Sequence, residues 1–230
     1  MAKVSVVLTS YNHEKFIGQA IDSVLRQTFT DWELIIVDDV SPDGSWAVIE
    51  SYNDPRIKKI QNDRTRRYIY NINRAVESQS TGEYIAIHHS DDAWESDKLE
   101  KQVAVLEANP GVGAVFSHVQ CIDENNRPLV VEWFNQPNKP RTAWLRSLFF
   151  NENQLCHPSA LVRRSAYEQA GLYRSANAQT DDAEMWTRLL MIADIHVVQE
   201  KLTLHRIFSD QSNESGERPD RRARMWLEWY

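Results

Sequence analysis

Two adjacent carboxylates, Asp91 and Asp92, close the stretch Glu83-Tyr-Ile-Ala-Ile-His-His-Ser-Asp-Asp. Its first half, Tyr84 to His88, is apolar and β-branched and reads as a strand. Neighbouring anions at the end of a buried strand repel each other. Either one carboxyl keeps its proton, or a cation neutralises both. Oxygen ligation of that kind suits Mg²⁺ or Mn²⁺, which share their remaining shell with water and phosphate oxygens. Ser and Asp after a strand are also ordinary turn and N-cap residues, so the pair alone leaves both readings open.

Two further polar clusters follow buried-strand patterns: Thr9-Ser-Tyr-Asn after Val4 to Leu8, and Asp38-Asp39 after Trp32 to Val37. In an open α/β sheet the carboxyl ends of the strands form the ligand crevice, so the three clusters are expected around one cavity. Neither Gly-x-Gly-x-x-Gly nor Gly-Lys-Ser/Thr occurs, so a phosphate-bearing ligand must be held by metal and side chains. Arg64, Arg66 and Arg67 suit phosphate or base edges, although a run of arginines is as often a solvated face.

The elements that position these residues alternate. Apolar positions at helical spacing run from Glu14 to Leu25, and a helix through Trp46, Val48 and Ile49 follows the turn at 40–44. A short strand is expected at Arg56 to Ile60, helices at Asn71 to Ser80 and Ser96 to Ala108, and a strand at Val112 to Val119. This rhythm predicts an α/β fold with a mostly parallel central sheet flanked by helices. After residue 120 it gives way to a smaller mixed region. There the pattern predicts a turn at 123–128, strands at 129–134, 159–162, 195–198 and 202–208, and helices at 143–150 and 181–192. The expected organisation is one unit over 1–208, its first half 1–120 binding the ligand and 121–208 completing the site. A polar loop and a basic, aromatic helix would make up 209–230.

Composition narrows the class. With 42% hydrophobic and 26% charged residues, the 230-residue chain has an ordinary globular balance. A net charge of −7 argues against a broad nucleic-acid surface. Cys121 and Cys156 form no disulfide framework or metal-ligand spacing. The N-terminal strand lacks signal-peptide architecture, and no apolar run approaches a membrane span. The expectation is a cytoplasmic chain, with peripheral contact at the inner face of a membrane left open by its basic, aromatic end.

Val-Ser-Val-Val-Leu-Thr-Ser-Tyr-Asn, Ala-Ile-Asp-Ser-Val-Leu-Arg-Gln-Thr-Phe-Thr-Asp-Trp-Glu-Leu-Ile-Ile-Val-Asp-Asp and Gly-Glu-Tyr-Ile-Ala-Ile-His-His-Ser-Asp-Asp together resemble inverting family 2 glycosyltransferases of the GT-A fold. The similarity runs over about residues 3 to 208 and is strongest to bacterial enzymes of the polysaccharide type. It implies a nucleotide-sugar donor (UDP first, then dTDP and GDP), a divalent metal (Mg²⁺ or Mn²⁺), and a saccharide or lipid-linked saccharide acceptor. By the same resemblance Thr9 and Tyr11 bracket the nucleoside base, Asp39 accepts from its imide, and Arg67 lies beside the nucleotide. Asp91 would meet the ribose or sugar, and Asp92 would hold the metal. Thr180-Asp-Asp-Ala-Glu-Met-Trp186 resembles the acidic segment that supplies the general base. This places Asp182 at the base with Asp181 beside it, although Asp also caps helices. His157 matches a position near the acceptor, and Arg206 one near phosphate.

Two departures stand out. The second strand is usually followed by Gly-Ser in this family, and here by Val40-Ser41; the late Tyr-Arg-x-His segment is here His205-Arg-Ile-Phe208. Whether His205 replaces the usual His at Phe208 is left open. The rival readings are a sugar-nucleotide nucleotidyltransferase and a non-catalytic sugar- or nucleotide-binding module. Thr9 to His13 lacks the glycine- and basic-rich loop of the first, and the Asp181-Asp182 segment argues against the second.

Overall fold

The run Val-Ser-Val-Val-Leu-Thr-Ser forms β1 (Val4–Ser10), buried at every position because both sheet faces are covered. The computed structural model describes residues 1–150, 153–174 and 180–209. The predicted terminal loop and helix beyond residue 209 lie outside the described residues. Helix α1 (Ile17–Leu25) leads to β2 (Trp32–Asp38), and α2 (Ser45–Ser51) to β3 (Ile57–Gln61). Then follow α3 (Tyr68–Arg74), β4 (Tyr84–His89), the two-residue β5 (Ala93–Trp94), α4 (Lys98–Ala108) and β6 (Val112–Ile122). The second half contributes α5 (Arg141–Phe150), β7 (Leu161–Arg163), α6 (Arg164–Ala170), α7 (Asp181–Ile192) and β8 (Asp194–Arg206).

The eight strands form one sheet in the order β3-β2-β1-β4-β7-β6-β8-β5. β1 pairs in parallel with β2 and β4, β2 with β3, and β6 with β8. Every pairing made by β7 or β5 is antiparallel. Side-chain alternation sends Val7, Ile35, Ile85 and Ile87 into a core covered by α3, α5, α6 and α7. Val6, Leu8, Leu34 and Ile36 face the opposite core, under α1, α2 and α4. The largely parallel central sheet flanked by helices that the sequence predicts, with a mixed second half, is the one found.

Several local expectations change. Residues 129–134 form no strand. Beyond a single bridge from Pro128 to Ile122, this segment is held by side chains, with Asn135 bonding both the N–H and the C=O of Val119. That amide takes the place of a strand partner, and Leu129, Val131 and Phe134 pack on Val119, Cys121 and Cys156. The strands expected at 195–198 and 202–208 are one strand, β8, ending at Arg206. Polar Gln199 to Lys201 reflects exposure, with the irregularity taken up by register shifts opposite Ser117 to Val119. The helix expected from Asn71 starts at Tyr68 and finishes in a wider π turn, with Ser80 N bonding Ala75 O.

Candidate active site

In-register pairing fixes the first part of the site. Thr9 lies opposite Val37 on β2 and His89 on β4, and Ser10 lies opposite Asp38. The polar ends of β1, β2 and β4 therefore share one edge. Thr9 is nearly buried, whereas Tyr11, just past the strand, is 52% exposed.

Asp39 is buried and collects donors. Asn62 Nδ2 and Arg66 N reach Oδ1 at 2.7 and 2.8 Å, and Arg67 N reaches Oδ2 at 2.8 Å. Burial pulls its pKa upward, but these bonds outweigh it and hold the carboxyl below the usual range. Arg67 adopts φ +70°, a strained conformation for a non-glycine residue, while presenting this N–H. Its described contact with Asp39 is thus through the backbone, and its side chain is exposed. The Arg66 guanidinium bonds Asp63 at 3.0 Å.

The second part gathers around Asp92. Its fully buried side chain accepts Arg206 N at 2.8 Å, meets His205 Nδ1 at 3.2 and 3.3 Å, and lies 3.8 Å from His89 Nδ1. Donor atoms of His89, Asp91 and Asp92 all fall within 4.8 Å of one another. Burial first, then the Asp92 charge, pushes the Asp91 carboxyl up. On Asp92 the same burial is outweighed by His205, which keeps it low; burial would lower His205, but Asp92 raises it instead. Two crowded carboxylates beside an imidazole are a donor set that a divalent cation relieves, so the residues fit the metal implied by the sequence.

His89 was not singled out in the sequence. Alternation along the strand was the available signal: His88 turns inward to Ser23 Oγ and stacks on Trp94, and His89 turns to the opposite face. His205, the residue left open, contacts Asp92. Phe208, standing where the family carries its late His, stacks on His13, whose Nδ1 is 2.7 Å from Ser90 Oγ. The Arg206 guanidinium reaches Asp91 O, Asp123 O, Gln19 and Asn126 and lies over Phe16, so its described partners make it a strut under the acidic pair.

The third part is the start of α7, with Asp181, Asp182 and Glu184 in its first turn. Asp182 Oδ2 accepts from Asn153 Nδ2 at 2.7 Å, and Glu184 is engaged by Arg188 and Arg174. One turn on, buried Trp186 meets the His157 ring at 5.5 Å, and His157 meets His89 at 5.3 Å. Contacts therefore run from the Asp182 helix to the Asp92 cluster. Both ring nitrogens of His157 are occupied, Nδ1 by Tyr68 OH at 3.0 Å and Nε2 by Tyr173 OH at 2.8 Å. Burial holds it neutral, well below the usual histidine value. It links the two halves from inside the core. Tyr68 also reaches His89 Nε2 at 2.7 Å, another link the sequence did not disclose.

Comparison with known proteins gives the family and the fold. A family model described as Glycosyl transferase family 2 matches residues 5–171. EpsE of Bacillus subtilis is 33% identical over 195 residues, covering 81% of this chain and 66% of the relative. The Escherichia coli UDP-Glc:alpha-D-GlcNAc-diphosphoundecaprenol beta-1,3-glucosyltransferase WfgD is 34% identical over 136 residues, 59% of this chain and 52% of the relative. The chain thus spans about half to two thirds of these relatives. Among solved structures, S. aureus TarS 1-349 in complex with UDP-GlcNAc superimposes with TM-score 0.76 at 19% identity, over 98% of this chain and 65% of that one. The Pyrobaculum calidifontis mannosyltransferase PcManGT with GDP-Man and Mn²⁺ gives TM-score 0.66 at 20% identity, over 98% and 62%. At these identities the structural likeness speaks to the fold.

Proposed function

The chain belongs to glycosyl transferase family 2, and from that premise we propose that it moves a sugar from a nucleotide-diphosphate donor to an acceptor hydroxyl with inversion. The observation that carries the reading is the line of contacts from α7, whose first turn holds Asp182, through Trp186, His157 and His89 to Asp92. It supports the reading by joining the helix that carries a carboxylate suited to a general base to a carboxylate pair suited to a diphosphate-bound cation.

Each part has a task in a single displacement. The nucleoside lies over the ends of β1 and β2, with Tyr11 exposed to stack on the base and Asp39 preset as an acceptor. His89, Asp91 and Asp92 would hold Mg²⁺ or Mn²⁺, which when bound offsets the charge of the leaving diphosphate. Arg67 adds a second positive charge there. Asp182 takes the proton of the acceptor hydroxyl as its oxygen bonds the anomeric carbon and the bond to the diphosphate breaks. One in-line step inverts the centre; retention by a covalent route would need a nucleophile on the opposite face.

UDP is the donor nucleotide we favour, supported by the UDP-Glc in the name of WfgD and the UDP-GlcNAc held by TarS. A lipid-linked saccharide acceptor is supported by the diphosphoundecaprenol in the WfgD name. Surface-polysaccharide synthesis at the inner face of a membrane follows as the setting. Among the described residues no helix is long and apolar enough to cross a membrane. Thermal melts with UDP, GDP and dTDP, each with and without Mn²⁺, test the reading. UDP should raise the midpoint most, and only fully in the presence of metal. No nucleotide raising it would remove the proposal, and a donor-hydrolysis assay separates an enzyme from a binding module.

A further inference from the structure

Trp133 is 43% exposed, yet its indole is fixed. Nε1 donates to Asn153 O at 2.9 Å, and the side chain of that asparagine holds Asp182 at 2.7 Å. The next residue, Phe134, packs edge-on against His205 at 5.7 Å, and His205 touches Asp92. Trp133 therefore belongs to a segment tied at one end to the proposed base and at the other to the proposed leaving-group site. The segment is also anchored by Asn135 on Val119 and by Glu132 on Lys201 at 3.0 Å.

A partly exposed indole is apolar surface in contact with water, and here its N–H is already engaged by the Asn153 carbonyl, so what the residue has left to offer a ligand is its apolar ring. The axial C–H face of a pyranose is the complementary chemistry: flat, weakly apolar and rimmed by hydroxyls that remain free to meet Asp182. Holding the ring through Asn153 ties the platform to the base, so that a stacked sugar arrives with a hydroxyl in reach of that carboxylate. The geometry points to Trp133 as the acceptor platform, a stacking surface for a pyranose ring that selects cyclic saccharide acceptors. This inference rests on the transferase reading above and adds the acceptor subsite to it.

The test uses the full chain carrying 5-fluorotryptophan at its eight tryptophans, saturated with UDP and Mn²⁺. The ¹⁹F resonance missing in Trp133→Phe identifies the residue. Methyl β-glucoside, methyl β-galactoside and methyl N-acetyl-β-glucosaminide are then titrated, with acyclic mannitol as the polyol that cannot stack. The Trp133 resonance should move with at least one pyranoside and not with mannitol. Saturation-transfer spectra of that glycoside should show Kd weakened about five- to ten-fold in Trp133→Ala and partly restored in Trp133→Phe. If all resonances stay still, or only other tryptophans respond, in protein whose melting point still rises with UDP, the platform is wrong while the donor reading stands. If UDP itself fails to raise the melting point, the donor reading falls and takes this inference with it.

Discussion

Asn153 Nδ2 donates to Asp182 Oδ2 at 2.7 Å across 29 residues of sequence. A carboxylate offers about four acceptor sites, and this bond on Oδ2, with Ala183 N on Oδ1 at 2.7 Å, orients the group. Asp182→Asn should lower transfer by at least about a thousand-fold with the UDP-induced melting shift intact, because its task lies in the transition state. Asn153→Ala should lower kcat about ten-fold through misplacement. Turnover and UDP melts check both; wild-type turnover in Asp182→Asn would refute the base.

The Asp91–Asp92 pair leads to a metal prediction. Burial and Asp92 raise the Asp91 carboxyl, so part of the population carries a proton that a bound cation must displace. Mn²⁺ affinity should therefore rise with pH, with proton release visible as buffer-dependent heat in calorimetry. Asp92→Ala should lose metal-dependent nucleotide binding. Equal binding with and without metal in that variant would remove Asp92 from the ligand set.

The donor half was largely legible because its information is local. β-branched runs ending in polar clusters give both the strands and the edge they share, as at Val4 to Ser10 and Trp32 to Asp39. The second half was less so, because long-range side-chain bonds decide it. Asn135 standing in for a strand beside Val119, and Asn153 reaching Asp182, leave no periodic trace. The insertion of antiparallel β7 between β4 and β6 is likewise set by how the chain re-enters the sheet, which three residues cannot announce.

Val40 tests the departure from Gly-Ser directly. It adopts φ +62° with 39% of its surface exposed, a conformation that β-branched residues avoid. Ser41 fixes the turn by bonding Asp38 Oδ1 at 2.5 Å through its hydroxyl and Oδ2 at 3.1 Å through its N–H. Val40→Gly relieves about 1–2 kcal/mol of left-handed strain and costs about 0.5–1 kcal/mol of backbone entropy. The net should be a gain of up to about 1.5 kcal/mol, or a few degrees in Tm. A lower melting point would show that the turn does not hold Val40 in this conformation.

Acid should weaken the fold through His88. The ring is fully buried and stacked on Trp94 at 4.0 Å, with Nε2 3.2 Å from Ser23 Oγ and no partner for Nδ1 among the described residues. Burial is the main cause that lowers its pKa to about 3. Between that value and 6.5 the unfolded chain binds the proton and the native state does not, so stability falls as pH drops through the window. At pH 5 the loss from this residue is about 2 kcal/mol. His205 acts with the opposite sign: its raised pKa adds stability below 6.5 that disappears as pH climbs through the folded value, so it offsets part of the loss. His88→Phe keeps the stack, removes the orphaned nitrogen and abolishes the titration, while Ser23 Oγ still donates to Ala20 O at 2.7 Å. Melting curves at pH 7.5 and pH 5 should show a smaller drop in His88→Phe than in the wild type. Equal drops would mean that His88 takes up its proton within the fold at little cost, contrary to its burial.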